Sequence, residues 1–272
     1  MPSILGAPLT TNNIVTRISY LIFALISYLI YLASMIIFAF RLLGIDQFLK
    51  EITVEFQLGL IGSIFVNITL IVIFGVPHSV MARAGFKKFC SRIVPLPIER
   101  SFYVFIVSIT LTILSCLWQP IYFEIWNIKT DIGRYTIYFV FLLGFILAVV
   151  STFLIDHFEL FGLKQAWNFF IRKEKHTIEF ATPSLYKLVR HPMMLGILLV
   201  LWSTPFMDLS HLILSIGMTL YIIIGTFFEE KDLVRTFGER YLQYKQVVPM
   251  LLPFITLKKK LRKINTGEKY EN

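Results

Sequence analysis

The chain has 272 residues, 56% of them hydrophobic and 16% charged, with a mean hydropathy of +0.72. That balance excludes an ordinary soluble domain and leaves a polytopic membrane protein. Two cysteines suggest no disulfide framework; the net charge of +9 comes with no nucleic-acid motif and is the excess that cytoplasmic loops give a membrane protein.

Residues 1–17 are polar and read as a flexible N-terminus. Ile18–Phe40 is uncharged and reads as a retained first span rather than a signal peptide. Leu58–Val76 is the second span, with Asn67 as its main polar interruption. His78 and Ser79 follow it directly, and a basic loop, Arg83–Arg100, leads to the third span, Ser101–Trp118. The nearly balanced loop Gln119–Arg134 precedes the fourth, Tyr135–Ile155. Pairs of small residues four apart, Gly59 with Ser63 and Gly144 with Ala148, either let helices approach closely or reflect the ordinary composition of such helices.

Asp156 and His157 end the fourth span, and a second basic loop reaches Arg190. Pro192–Met207 and His211–Phe228, separated by the short turn Asp208–Ser210, read as a helical hairpin whose first arm is short for a crossing. The expected fold is thus all-α, with six transmembrane helices including this hairpin. A polar helix continues over Phe228–Phe237, Gly238 is placed to end it, and Glu239–Val248 reads as a further short helix with Tyr241 and Tyr244 on one side. Pro249 and Pro253 close the fold, and a basic tail follows at 255–272. The basic loops and tail put both termini on the cytoplasmic side, as six crossings require.

Polar residues gather at that inner edge: His78, Asp156, His157, Tyr186, Arg190, His191, Glu229 and Glu230. Pro192 suits a first helical turn, after which Met193, Met194 and Leu195 present free backbone N–H groups reinforced by the helix dipole, an anion pocket. The competing reading is a proline-started helix with Arg190 snorkelling to phospholipid. Gly196, one turn on, admits a ligand or a neighbouring helix. Glu229 and Glu230 sit at a span's C-terminal end, against the dipole, where they either bind a ligand's hydroxyls or cationic group or are merely solvated. His78 and His157 are open to the same two readings, base or polar cap. No His, Cys or Asp set has metal-ligand spacing, and there is no Walker loop, GxGxxG or nucleophile elbow.

Tyr186-x-x-x-Arg190-His191-Pro192 with Gly196, then Glu229–Glu230, Leu233, Gly238, Tyr241-x-x-Tyr244 and Pro249, resembles the C-terminal core of the isoprenylcysteine carboxyl methyltransferase superfamily. His78–Arg83 with Gly85–Lys87, Val94–Pro95, Glu99–Ser101, Trp118–Pro120, Ser151–Ile155, His157–Phe158, Leu160–Leu163 and Trp202–Pro205 resemble its NnrU-like methanethiol S-methyltransferase branch more closely, over residues 60–254. The resemblance implies a membrane methyltransferase domain at 18–254, with its cofactor core at 176–254. It implies S-adenosylmethionine as methyl donor, held by Tyr186, His191, Pro192, Met193, Met194, Glu229 and Glu230, with backbone near Ile178–Ala181 facing adenine. It implies methyl transfer to a small thiol, methanethiol giving dimethyl sulfide, in a bacterial cytoplasmic membrane. A free thiol is mostly protonated at neutral pH, so a base or cation would help it react, and His78, His157 and Arg190 are the candidates. The alternatives are another acceptor (prenyl-cysteine carboxylate, lipid amine, larger thiol) or a non-enzymatic NnrU-like membrane protein or transporter. Transport is disfavoured because the spans carry no charge at mid-depth.

The sequence departs from this pattern in places. Relatives usually have Tyr where Met194 stands, and commonly Gln and Asn where Pro77 and Asp156 stand. The carboxyl methyltransferases place a carboxylate-binding Arg where this chain has Gly225, which suits a small neutral or thiolate acceptor.

Overall fold

The computed structural model describes residues 13–45, 50–173 and 182–253. Ile178–Ala181 and the tail after Pro253 lie outside them. Helix α1 (Ile14–Leu43) is capped by the Asn13 side chain, which accepts from Val15 N at 2.9 Å, and stopped by Gly44 at φ +65°. Helix α2 (Leu60–Met81) is followed by the short α3 (Ala84–Cys90) and a 3₁₀ turn that leads into α4 (Glu99–Leu117). Helix α5 (Asp131–Ile155) is followed by two short helices, α6 (His157–Leu160) and α7 (Leu163–Phe170). Helix α8 (Pro192–Trp202) and α9 (Leu209–Phe237) form the hairpin, and α10 (Glu239–Val247) ends the described chain. Gly238, at φ +58°, divides α9 from α10 where the sequence placed the break.

Among the described residues five helices are long and apolar enough to cross a membrane, and of the six expected spans only α8 falls short. With 11 residues, α8 rises only about 16 Å against a hydrocarbon core of about 30 Å. The fifth expected transmembrane helix, the first arm of the hairpin, is therefore not a full-length one. Its run finishes in extended chain, because Pro205 cannot continue the helix. The released backbone is satisfied by a two-stranded antiparallel sheet, β1 (Glu124–Asn127) with β2 (Phe206–Asp208). Trp126 Nε1 adds a bond to Thr204 O at 3.0 Å, and Ile128 N one to Pro205 O at 2.8 Å. Polar backbone at that depth needs such partners.

Helix α4 is central, packing on α1 and α2; α5 packs on α8, and α9 on α2. The core joins Phe38, Leu70, Phe74, Leu114, Trp118 and Leu214. Side chains facing the other way, such as Ile61, Phe65 and Ile132, are more than two-thirds exposed, as a lipid-facing surface requires. Of the two small-residue pairs, only Gly144–Ala148 is a close approach. A Cβ on Gly196 would lie 2.6 Å from Ala148 N and 2.6 Å from Gly144 O, so α5 and α8 touch backbone to backbone. Nothing lies within 4 Å of a Cβ on Gly59.

At the sheet end of the bundle, Gln119 is a clamp. Its main chain exchanges two bonds with the Asn67 amide, each 2.8 Å. Its side chain accepts from Phe56 N at 2.7 Å and donates to Val54 O and Leu117 O at 3.0 and 2.6 Å. Gln119→Ala strands those part-buried backbone groups and is expected to cost about 1–2 kcal/mol. Thermal unfolding in detergent should report that loss, with ligand binding at the opposite end of the bundle unchanged in the folded protein; an unshifted midpoint would deny Gln119 this role.

Candidate active site

The hairpin places two acids differently. On α9, adjacent residues point about 100° apart. Glu230 turns inward and is 3% exposed. Its Oε1 accepts from Arg190 Nε at 2.6 Å and lies 3.3 Å from His191 Nε2, while Oε2 meets Lys245 Nζ at 2.8 Å. Arg190 Nη1 also donates to Lys245 O and Val248 O, at 3.1 and 2.5 Å. The backbone N–H groups of Arg190 and His191 donate to Pro249 O and Met250 O. Glu230 and Arg190 thus bolt the start of α8 and the end of α10 to α9, and the bound charges are already matched.

Glu229 faces the other way. Its side chain is 50% exposed and Oε2 lies 3.6 Å from His191 Nδ1. It is close enough to Arg100, Tyr103 and Tyr186 to act on them electrostatically. Pro192 opens α8, so the N–H groups of Met193 and Met194 lie at its unfilled first turn, whereas Leu195 N already bonds His191 O at 3.1 Å. Tyr186 donates from its hydroxyl to Ser151 O at 3.3 Å, and its own carbonyl accepts from Tyr244 Oη. Burial, then the nearby Glu229, pushes the Tyr186 hydroxyl above its ordinary range, and burial pushes Tyr244 up to about 12; both remain proton donors at neutral pH.

Tyr186, Arg190, His191, Pro192, Met193, Met194, Glu229 and Glu230 are therefore brought together. His157 belongs to a different cluster. Thr152 Oγ1 donates to Val149 O at 2.7 Å, so it accepts from His157 Nδ1, also at 2.7 Å; Nε2 then accepts from Tyr28 Oη at 2.7 Å. Phe153 stacks on the ring at 4.1 Å. Burial lowers the His157 pKa against the raising effect of Asp156, so both nitrogens are committed in a neutral ring. Asp156 does not orient it. It caps α6 through Glu159 N and pairs with Lys164; burial raises its pKa, but the Lys164 hydrogen bond and charge outweigh this and hold it below the usual carboxylate range.

His78 is at the C-terminal end of α2, with its ring among Phe74, Tyr103 and Tyr221 at centroid distances of 5.4, 5.6 and 5.9 Å. Arg83, a turn on, pairs with Asp232 at 3.2 Å and covers the Phe228 ring. Arg100, held by Leu160 O at 2.6 Å and stacked on Tyr103, is near enough to act on both His78 and Glu229. Sequence reasoning missed Arg100 and Tyr103 as site residues, although Glu99–Ser101 carried a family likeness. It had no signal for Lys245, whose partner is distant in sequence. Among the described residues no group of three or more His, Cys, Asp or Glu could hold a metal.

The arrangement is an open helix start beside a half-exposed acid, at the edge of an apolar bundle. No protein-family model and no solved structure matches the chain. Curated relatives do. The methanethiol S-methyltransferase of Crocosphaera subtropica is 39% identical over 245 residues, covering 90% of this chain and 96% of the relative. That of Pseudomonas deceptionensis is 47% identical over 191 residues, 70% and 73% of the two chains. That of Mycobacterium tuberculosis is 39% identical over 236 residues, 86% and 96%. On these identities and coverages, and with a multi-pass apolar bundle, this chain belongs to the methanethiol S-methyltransferase family.

Proposed function

We propose that the protein transfers a methyl group from S-adenosylmethionine to methanethiol, releasing dimethyl sulfide, at the cytoplasmic edge of the membrane. S-Adenosylmethionine supplies an electrophilic methyl on a sulfonium. The residues fit such a donor: the N–H groups of Met193 and Met194 suit its carboxylate, and Glu229 suits its ammonium or ribose hydroxyls. Tyr186 walls the same pocket, with His191 between helix start and acid. The observation that carries the reading is Glu229, left half-exposed 3.6 Å from His191 Nδ1 while its neighbour is fully paired. Arg190 and Glu230 hold this frame together rather than touching reactants.

The site shares its end of the bundle with Arg83, Lys87, Lys88 and Lys164, and by the positive-inside rule that end faces the cytoplasm, where the donor is made. A small apolar thiol partitions into the bilayer and reaches the edge sideways. Gly225, with nothing within 4 Å of where its Cβ would be, leaves room for a small acceptor and offers no cation for a prenyl-cysteine carboxylate.

Purified protein should form dimethyl sulfide from methanethiol and S-adenosylmethionine, read by gas chromatography. Glu229→Gln is expected to weaken S-adenosylhomocysteine binding by about tenfold or more, for one lost charge-assisted bond, with thermal stability retained. Wild-type affinity in E229Q would remove Glu229 from the donor pocket, and absence of any binding by the wild type would end the reading.

A further inference from the structure

Nδ1 of His78 is buried and finds no hydrogen-bond partner among the described residues. A buried polar nitrogen without a partner is costly and uncommon, and it asks for a ligand. The ring is enclosed on three sides by Phe74 of its own helix, Tyr103 of α4 and Tyr221 of α9. Both tyrosine hydroxyls are directed elsewhere: Tyr103 Oη donates to His78 O at 3.4 Å, and Tyr221 Oη accepts from Ser79 Oγ at 3.2 Å. What they turn toward the imidazole is aromatic carbon.

The space beside this box is defined by α9. Tyr221, Gly225 and Glu229 recur every four residues and share a face. Tyr221 lies against Gly75, whose added Cβ would be 3.1 Å from its ring, and Asp232 reaches Arg83. Contacts above and below thus turn the Gly225 face toward the inner end of α2, yet no atom comes within 4 Å of a Cβ there. A gap therefore opens between α2 and α9, bounded by His78 and Tyr221 toward the membrane and by Glu229 toward the cytoplasm. Arg100 acts electrostatically on both His78 and Glu229, so the box and the donor site are neighbours.

We propose that this gap is the acceptor subsite and that His78 Nδ1 takes the hydrogen bond, and then the proton, of the incoming thiol. This rests on the donor reading above. The thiol sulfur uses a lone pair to form the new carbon–sulfur bond, and the old methyl–sulfonium bond breaks with its electron pair remaining on the donor sulfur. The S–H proton passes to Nδ1 and then to water, leaving two neutral thioethers. A protonated thioether is so strong an acid that a weakly basic imidazole suffices. The small apolar chamber, walled by three rings, selects a short thiol and aligns it. His157, with both nitrogens engaged, has no such capacity.

The test uses the full chain in detergent with three measurements: calorimetry with S-adenosylhomocysteine, turnover of methanethiol, and turnover of trifluoroethanethiol, whose more acidic thiol has less need of a proton acceptor. His78→Ala should bind S-adenosylhomocysteine as the wild type does and lose about 10²-fold in kcat/KM for methanethiol. Its loss with trifluoroethanethiol should be clearly smaller. Gly225→Leu, which fills the gap, should raise KM for methanethiol about tenfold or more with S-adenosylhomocysteine affinity unchanged. Wild-type turnover by H78A, or an equal loss with both thiols, overturns the proposal. Should H78A fail to fold, G225L decides: a raised KM supports the subsite and a wild-type KM overturns it. A wild-type chain that binds no S-adenosylhomocysteine overturns the donor reading and this one with it, whereas normal donor binding with an indifferent H78A overturns this one alone.

Discussion

Glu230→Ala is expected to be among the most damaging single substitutions in the chain. The carboxylate meets Arg190 at 2.6 Å, Lys245 at 2.8 Å and His191 at 3.3 Å, and the Arg190 side chain is itself only 9% exposed. Removing one partner of a buried pair leaves an uncompensated charge and costs roughly 3–5 kcal/mol. Lys245 is about a third exposed and recovers solvent, so most of the penalty falls on Arg190. The expected result is a melting temperature lower by about 10 °C in detergent. Proteolysis should begin at α10, whose attachment includes the Lys245 ion pair, and donor binding should fall in parallel because His191 and Pro192 lose their anchor. Glu230→Gln keeps the shape but not the charge and should fall between. An E230A protein with a wild-type melting temperature would mean that the Arg190–Glu230–Lys245 cluster does not hold the hairpin. Glu229→Gln on the next residue should do the reverse, weakening the ligand and sparing the fold.

That contrast marks where the sequence became illegible. Two adjacent acids read alike along the chain, and only the rotation of α9 pairs Glu230 in the buried frame and leaves Glu229 half-exposed beside His191. The long spans were readable because lipid tolerates no charge over about 20 residues. The end of α9 at Gly238 was readable because an αL-prone residue stops a helix there. The first arm of the hairpin already read as short, but its change to a strand after Trp202 was not readable, because an apolar run does not say whether its last third is helix or extended chain, and its partner strand β1 lies about 80 residues earlier, in a loop without periodicity. His78 and His157 were indistinguishable as boundary histidines. Their difference lies in neighbours contributed by other helices, Tyr28 and Thr152 for His157 and the rings of Tyr103 and Tyr221 for His78. Arg100 looked like one more loop cation until α4 carried it within electrostatic reach of both His78 and Glu229.

Gly196→Ala should leave a folded protein that turns over poorly, and Gly196→Leu should leave little protein at all. The Cβ at this position would stand 2.6 Å from Ala148 N and 3.0 Å from Ala148 Cα. These are backbone atoms of α5 and cannot rotate away. The reciprocal glycine is as tight, since a Cβ on Gly144 would meet Gly196 O at 2.9 Å. One methyl therefore forces the two helices apart by about an ångström, at roughly 1–3 kcal/mol for an overpacked contact. Helix α8 begins one turn earlier at Pro192, so its open N–H groups and His191 shift with it, while Glu229 stays on α9. Tyr186, which reaches across to Ser151 O on α5, is pulled the opposite way. A displacement of that size is enough to cost about 10²-fold in turnover when it misplaces reacting groups. Dimethyl sulfide formation by G196A should thus fall much further than its melting temperature predicts, and a G196A enzyme with wild-type turnover would show that α8 does not set the donor's position.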